Sequence, residues 1–250
     1  KNNKDYQDYE HYELAIKWWE KAAELGNRSA MYAVGLIYKN DEDYQDYELA
    51  IKWLEKAAEL GNRSAMYAVG LIYKNNEDYQ DYELAIKWLE KAAELGNRSA
   101  MHSLGLMIRY GQGVDKDVAL AIEWYEKAAE LGNSAAMYSL GLIYDDNEDY
   151  RDYAIAIEWY EKAADLGNSS AMYSLGLIYK NNEDYQDYEL AIQWLEKAAE
   201  FGNRSAMYSV GFIYKNNEDY QNYELAIKWL EKAAELDDSA AMYSLGLMSW

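Results

Sequence analysis

The chain has 250 residues and a mass of 29.0 kDa; half of its residues are apolar and 28% are charged, a composition that buries a core and excludes wholesale disorder. With 45 Asp and Glu against 24 Lys and Arg, the formal charge of −21 argues against nucleic acid and anionic membrane surfaces as partners, because both are held through Lys and Arg. Cysteine is absent, which removes disulfides, thiol catalysis and cysteine-ligated zinc, and no apolar run is long enough for membrane insertion.

Repetition organises the chain from end to end. It opens on KNNKDYQDYEHYELA, a segment with three extra residues that reads as irregular before a lone helix within 1–25. Six units follow at 26–60, 61–95, 96–131, 132–166, 167–201 and 202–236, each beginning with a glycine. Asp237 takes that place in the last piece, 237–250. A second glycine series (Gly35, Gly70, Gly105, Gly141, Gly176, Gly211, Gly246) and a tryptophan series from Trp18 to Trp229 keep the same 35- or 36-residue step. The chain therefore reads as one array and not as two domains.

The unit 61–95 shows the pattern. Its first half, helix A, places Ala65, Val69, Ile72 and Tyr73 on one helical face, with Asn62 or Ser64 available to cap its start. Gly70 falls in the middle, where glycine costs up to ~1 kcal/mol. Its recurrence in every unit predicts a close approach of two helices. The second half, helix B, lines up Tyr82, Ala85, Ile86, Leu89, Ala92 and Ala93, with Trp88 widening the stripe. Glu83 and Lys87 stand at i,i+4 on the opposite face, a pair worth roughly 0.2–0.5 kcal/mol. Short connections make neighbouring helices antiparallel. A single hairpin cannot bury its own apolar face, so the hairpins stack into an all-α solenoid of about seven helix pairs. A lone helix B stands at 1–25 and a lone helix A at 237–250.

Segment Ala100–Asn133, AMHSLGLMIRYGQGVDKDVALAIEWYEKAAELGN, resembles the Sel1-like repeat family, a relative of the tetratricopeptide repeat. Gly111–Val114 matches that family's glycine-rich loop, and Ala121–Gly132 its AxxWYEKAAxxG helix. The other units replace the loop with KNNEDYQDY, where a tyrosine such as Tyr79 would stand in for the valine. The resemblance covers nearly the whole chain and implies a right-handed solenoid and a non-catalytic adaptor. Disulfide-tied members of the family carry cysteines in each unit, so their properties do not transfer here.

The chemistry-bearing residues follow the repeat. His102 takes the place of the recurring tyrosine of helix A, and its neighbour Ser103 faces another way; His11 belongs to the irregular opening. Asp41, Glu42, Asp43, Asp46 and Glu48, with Tyr44 and Tyr47, make an acidic loop that recurs in most units. This is either a solvated edge or a ladder for a basic partner. Asp145, Asn147 and Asp149 open like a calcium loop but lack its glycine and terminal glutamate. Methionines such as Met31 and Met66 recur once per unit as core filler. Asn27, Asn62, Asn97, Asn168 and Asn203 each begin a sequon at the B–A turn, where they are candidates for N-glycosylation or simple turn and cap residues. No metal ligand set, cofactor motif or catalytic group stands apart from the repeat.

The expected function is a scaffold that binds a protein or peptide along the helix-A face. Tyr32, Tyr67, His102, Tyr138, Tyr173, Tyr208 and Tyr243 are the contact residues, or else pack against the next layer. The alternative is a fibre of copies stacked end to end through Trp18, Trp19, Met248 and Trp250, outside the cell and glycosylated. The chain begins at Lys1 without a recognisable leader, as a processed protein or a piece of a longer one would. The compartment stays open, cytoplasmic for the scaffold and extracellular for the fibre.

Overall fold

The computed structural model describes residues 3–248, with side chains from residue 13 onward. Among these residues the chain forms fourteen α-helices and no strand. The A helices are α2 (Arg28–Asn40), α4 (Arg63–Asn75), α6 (Arg98–Tyr110), α8 (Ser134–Asp146), α10 (Ser169–Asn181), α12 (Arg204–Asn216) and α14 (Ser239–Met248). The B helices are α1 (Asn3–Glu24), α3 (Tyr47–Glu59), α5 (Tyr82–Glu94), α7 (Val118–Glu130), α9 (Tyr153–Asp165), α11 (Tyr188–Glu200) and α13 (Tyr223–Glu235). The opening segment, expected to be irregular, is helical from Asn3 onward. It contains no proline or glycine to interrupt the helix that follows.

The chain divides into two compact units, Lys1–Leu131 and Gly132–Trp250, and the division falls in the B–A turn between α7 and α8. In the first unit α2–α3, α4–α5 and α6–α7 are hairpins, and α1 packs on α2. In the second, α8–α9, α10–α11 and α12–α13 repeat the arrangement, and α13 packs on α14.

The mid-helix glycines are where each hairpin closes. A Cβ on Gly35 would lie 2.6 Å from Leu54 Cγ, and one on Gly141 would lie 2.4 Å from the Tyr160 ring. The partner side chains, four leucines and the tyrosines Tyr125 and Tyr160, are fully buried. Burying such a side chain contributes about 1.5–3 kcal/mol, which outweighs the ~1 kcal/mol cost of a helical glycine. Alanines complete the seam: Ala50, Ala57, Ala85, Ala92, Ala121 and Ala128 are wholly inaccessible. Most of the methionine series joins the core, with Met66, Met172 and Met207 buried, while Met242 on α14 is exposed.

Polar side chains set the helix ends. Asn62 Oδ1 accepts from the Ser64 and Ala65 amides, so asparagine and not serine is the cap. Asp46, Asp81, Asp117, Asp152 and Asp187 cap the B helices in the same way. Gly61 and its equivalents turn the chain with φ near +80°, and Asp237 holds the same left-handed conformation at φ 59°. Arginines tie successive layers: Nη1 of Arg28, Arg63, Arg98 and Arg204 donates to the carbonyls of Leu60, Leu95, Leu131 and Leu236 at 3.0–3.2 Å. The expected Glu83–Lys87 ion pair is not formed among the described residues. Exposed pairs of this kind gain little, and a different cation is used on that helix: Lys91 Nζ sits 4.4 Å above the Trp88 ring, a contact repeated in every B helix from Lys21 on Trp18 to Lys232 on Trp229.

Gly141→Ala is expected to destabilise the chain by about 1–3 kcal/mol, because Tyr160 has no room to retreat. Gly246→Ala, with nothing within 4 Å of the new methyl, is expected to be neutral or stabilising by up to ~1 kcal/mol. Thermal denaturation of the two variants reads the difference, and equal effects would refute the close-approach account.

Candidate interaction surface

The repeating tyrosine of helix A begins a stripe. On α4, Tyr67, Leu71 and Lys74 follow at spacings of four and three, the pitch of one helical face. All three are half-buried, and the same holds for Tyr173, Leu177 and Lys180 on α10. The rings of Tyr32, Tyr67, Tyr138, Tyr173 and Tyr208 pack against the core clusters of their units. Tyr243 alone of the series is exposed, at 70%. Five of the predicted contact residues are thus shared between core and surface.

A helices of successive layers lie side by side and leave grooves. Between α8 and α10 a cavity of ≈ 410 Å³ is lined by Asp145, Tyr153, Leu177, Ile178, Asn181, Asn182 and Glu183. Between α10 and α12 a smaller one of ≈ 170 Å³ is lined by Lys180, Tyr188, Phe212, Ile213, Asn216 and Asn217. Neither groove is lined by Tyr173 or Tyr208. The lining comes instead from residues four, five, seven and eight places further along helix A, from the loop that follows and from the first tyrosine of helix B. Sequence reasoning passed over Leu177, Lys180, Asn181, Phe212 and Asn216. The signal that would have found them is their helical spacing from the tyrosine.

His102 belongs to the same stripe on α6. Its ring lies 5.5 Å from that of Tyr125. Burial, aided by the charge of Lys74, pulls its pKa down to about 4. Ser103 is buried and points elsewhere in the same turn. Three other helix-A tyrosines reach across layers: Tyr38, Tyr73 and Tyr214 donate to Glu20, Glu55 and Glu196 at 2.7–3.0 Å. The Glu20 bond pushes Tyr38 up to about 12, and burial does the same for Tyr73 and Tyr214.

Two acids of the loop, Asp41 and Asp46, serve its own fold, while Glu42, Asp43 and Glu48 are exposed. Asp41 Oδ1 accepts the Asp43 amide, and the amide of the cap residue Asp46 donates to the Tyr38 carbonyl at 2.8 Å. Gln45 Nε2 then closes onto the carbonyl of Lys39. The loop tyrosines pack along the array, Tyr79 lying 6.2 Å from Tyr47 and Tyr185 6.3 Å from Tyr153. In the GQGV loop the equivalent approach is made by Gly113, where a Cβ would lie 2.4 Å from that of Tyr82, while Val114 is exposed. The glycine backbone, and not the valine, takes the tyrosine's place. The calcium-like triplet is also occupied by the fold: the Tyr160 hydroxyl donates to Asp145 at 3.1 Å, and Asn147 Oδ1 accepts the Asp149 amide.

Every sequon asparagine is an N-cap. At Asn97, Asn168 and Asn203 the side-chain nitrogen, the atom a glycan would take, also donates to a carbonyl of the preceding A helix. At the chain's two ends lie Trp18, 61% exposed, Trp19 and the half-buried Met248. The side chains of His11 and Trp250 lie outside the described residues.

Helix hairpins of fixed length, closed by a glycine and stacked through caps, define an α-solenoid. The profile of the Sel1 repeat family matches residues 7–27, 28–62, 63–97, 98–133, 134–168, 169–203 and 204–238, and the chain belongs to that family. It is similar to the crystal structure of a Sel1 repeat protein from Oxalobacter formigenes at 30% identity and a TM-score of 0.83, over 94% of this chain and 70% of that one. It is similar at 30% identity and a TM-score of 0.52 to a protective antigen of uropathogenic Escherichia coli strains, covering 94% of this chain and 59% of that one. A Sel1 repeat protein from Klebsiella pneumoniae matches at 26% identity and a TM-score of 0.53, over 80% of this chain and 99% of that one. No curated protein sequence matches the chain. Sel1 repeat proteins are in general non-catalytic scaffolds for protein–protein interaction.

His102 carries a pH dependence. The fold favours its neutral form, so the stability it contributes is complete above the ordinary pKa of 6.5 and is lost as pH falls through 6.5 toward 4. Its imidazole resonance is expected to titrate near pH 4, and His102→Tyr, the residue of the other units, should remove that component of acid sensitivity. A midpoint near 6.5 would contradict the buried placement.

Proposed function

We propose that the chain is a non-catalytic scaffold that binds a protein segment along the grooves between its A helices. The observation that carries this reading is the pair of part-exposed apolar side chains at one position in successive layers, the half-buried Leu177 and the 41% exposed Phe212, which line those grooves. Apolar side chains left part-exposed at the same position in successive layers are what a bound segment covers. The half-buried Tyr173 and Tyr208 stand one helical turn before Leu177 and Phe212 and add amphipathic area beside the grooves.

The test is selection of a phage-displayed random 12-residue library on the full chain. Binding sequences are expected to enrich, and Leu177→Arg with Phe212→Arg is expected to abolish their binding while circular dichroism stays unchanged. Failure to enrich any sequence, or retained binding to the variant, would refute the scaffold.

A second reading rests on α14, whose Met242, Tyr243 and Leu247 are exposed and whose Gly246 is open to within 4 Å. In every preceding hairpin that glycine is covered by a B-helix side chain. Copies of the chain would cover it by presenting α1, in a contact that does not close and so propagates. Under this reading light scattering rises with concentration, and Leu247→Asp suppresses the rise; a concentration-independent monomer mass removes it.

A further inference from the structure

Charge is not spread evenly over the repeat. The A helices hold nine Lys and Arg, and all but two of the chain's 45 acidic residues, Asp145 and Asp146, lie outside them. Four of the nine cations are the arginines already committed to carbonyls of the next layer. The other five stand in the last turn of their helices, at the place from which Lys180 lines the groove between α10 and α12.

A helix C-terminus favours a cation in its last turn, and that accounts for the residue type. It does not account for part-burial without a counter-ion. Among the described residues no carboxylate lies within 4 Å of Lys74, Lys180 or Lys215. Burial pushes the Lys74 ammonium below its usual pKa, and its charge acts on His102 in the next layer. These cations are held partly desolvated beside apolar side chains, in a chain with an excess of acids to pair them.

We infer that the groove between α10 and α12 takes an acidic peptide segment of a partner protein, its carboxylates on Lys180 and Lys215 and its apolar side chains on Leu177 and Phe212. This deepens the scaffold reading and rests on it. The net charge of −21 does not forbid such a ligand. At physiological salt, charges further than about 8 Å are screened, while part-buried neighbours act almost undiminished. A nucleic acid has the same sign but fits less well, because it brings a charge with every residue and the acids of loops and B helices repel it. A peptide spaces its carboxylates to match one cation per layer. The fourth layer breaks the row: Asp145 and Glu183 face the groove between α8 and α10, so an acidic segment is repelled there.

The peptides selected from the random library on the full chain decide the matter. They are expected to be rich in Asp and Glu. Their fluorescein-labelled copies, followed by anisotropy at about 150 mM salt, are expected to bind about tenfold more weakly to Lys180→Gln and to Lys215→Gln. Binding to Asp145→Asn should be tighter, since the amide keeps an acceptor for Tyr160 while losing the charge. Enriched peptides that are neutral or basic would overturn the inference and leave the scaffold intact. So would acidic peptides indifferent to both lysine variants, or a dT12 oligonucleotide that binds in preference. A library that enriches nothing would overturn both readings.

Discussion

The structure depends on one contact made over and over: a glycine in the middle of helix A against a large side chain in the middle of helix B. Without a Cβ at Gly70 or Gly176, the leucine facing it drops to full burial and the two backbones draw together. Helices this close leave space only for alanine elsewhere along the seam, and alanine is what the B helices supply. Where the partner becomes Tyr125 or Tyr160, the glycine accommodates the face of a ring with the same geometry. One local constraint thereby fixes hairpin geometry, and identical hairpins stack.

Polar residues do the stacking. The asparagine that caps helix A also reaches back to the preceding layer, and the arginine beside it reaches forward. The acidic loop spends its carboxylates on the cap of helix B and on its own turn. Such groups satisfy backbone donors that would otherwise be stranded at helix ends. Part of the acid in the sequence is thus structural, with Asp46 and its equivalents as caps and Asp41 closing its own turn. The distribution of charge then acquires meaning, because acids gather on B helices and loops and leave the A face cationic and aromatic.

That division of labour suits the class of protein the repeats define. Within each unit the same three positions recur on the A helices of neighbouring layers, which is the arrangement the proposed scaffold role draws on. Layers vary on this frame without altering the hairpin beneath, with Asp145 where its neighbours carry Arg109 and Lys180, and His102 where the others carry tyrosine.

The sequence by itself determined the helices, their pairing, the close approach at the glycines and membership of the repeat family. These are local and periodic properties: the 3.6-residue stripe of Leu89 and Ala92, the cap at Asn62 and the 35-residue step are all visible along the chain. Only the tertiary structure decided which residues face outward. The half-burial of Tyr67, the groove position of Lys180 and the use of Asp46 as a cap depend on where the next layer sits. A single helix has two candidate faces, and packing chooses between them. The same reason governs the charge pattern, an acidic average along the chain in which Lys74, Lys180 and Lys215 are left half-buried on the A helices while the acids gather on B helices and loops.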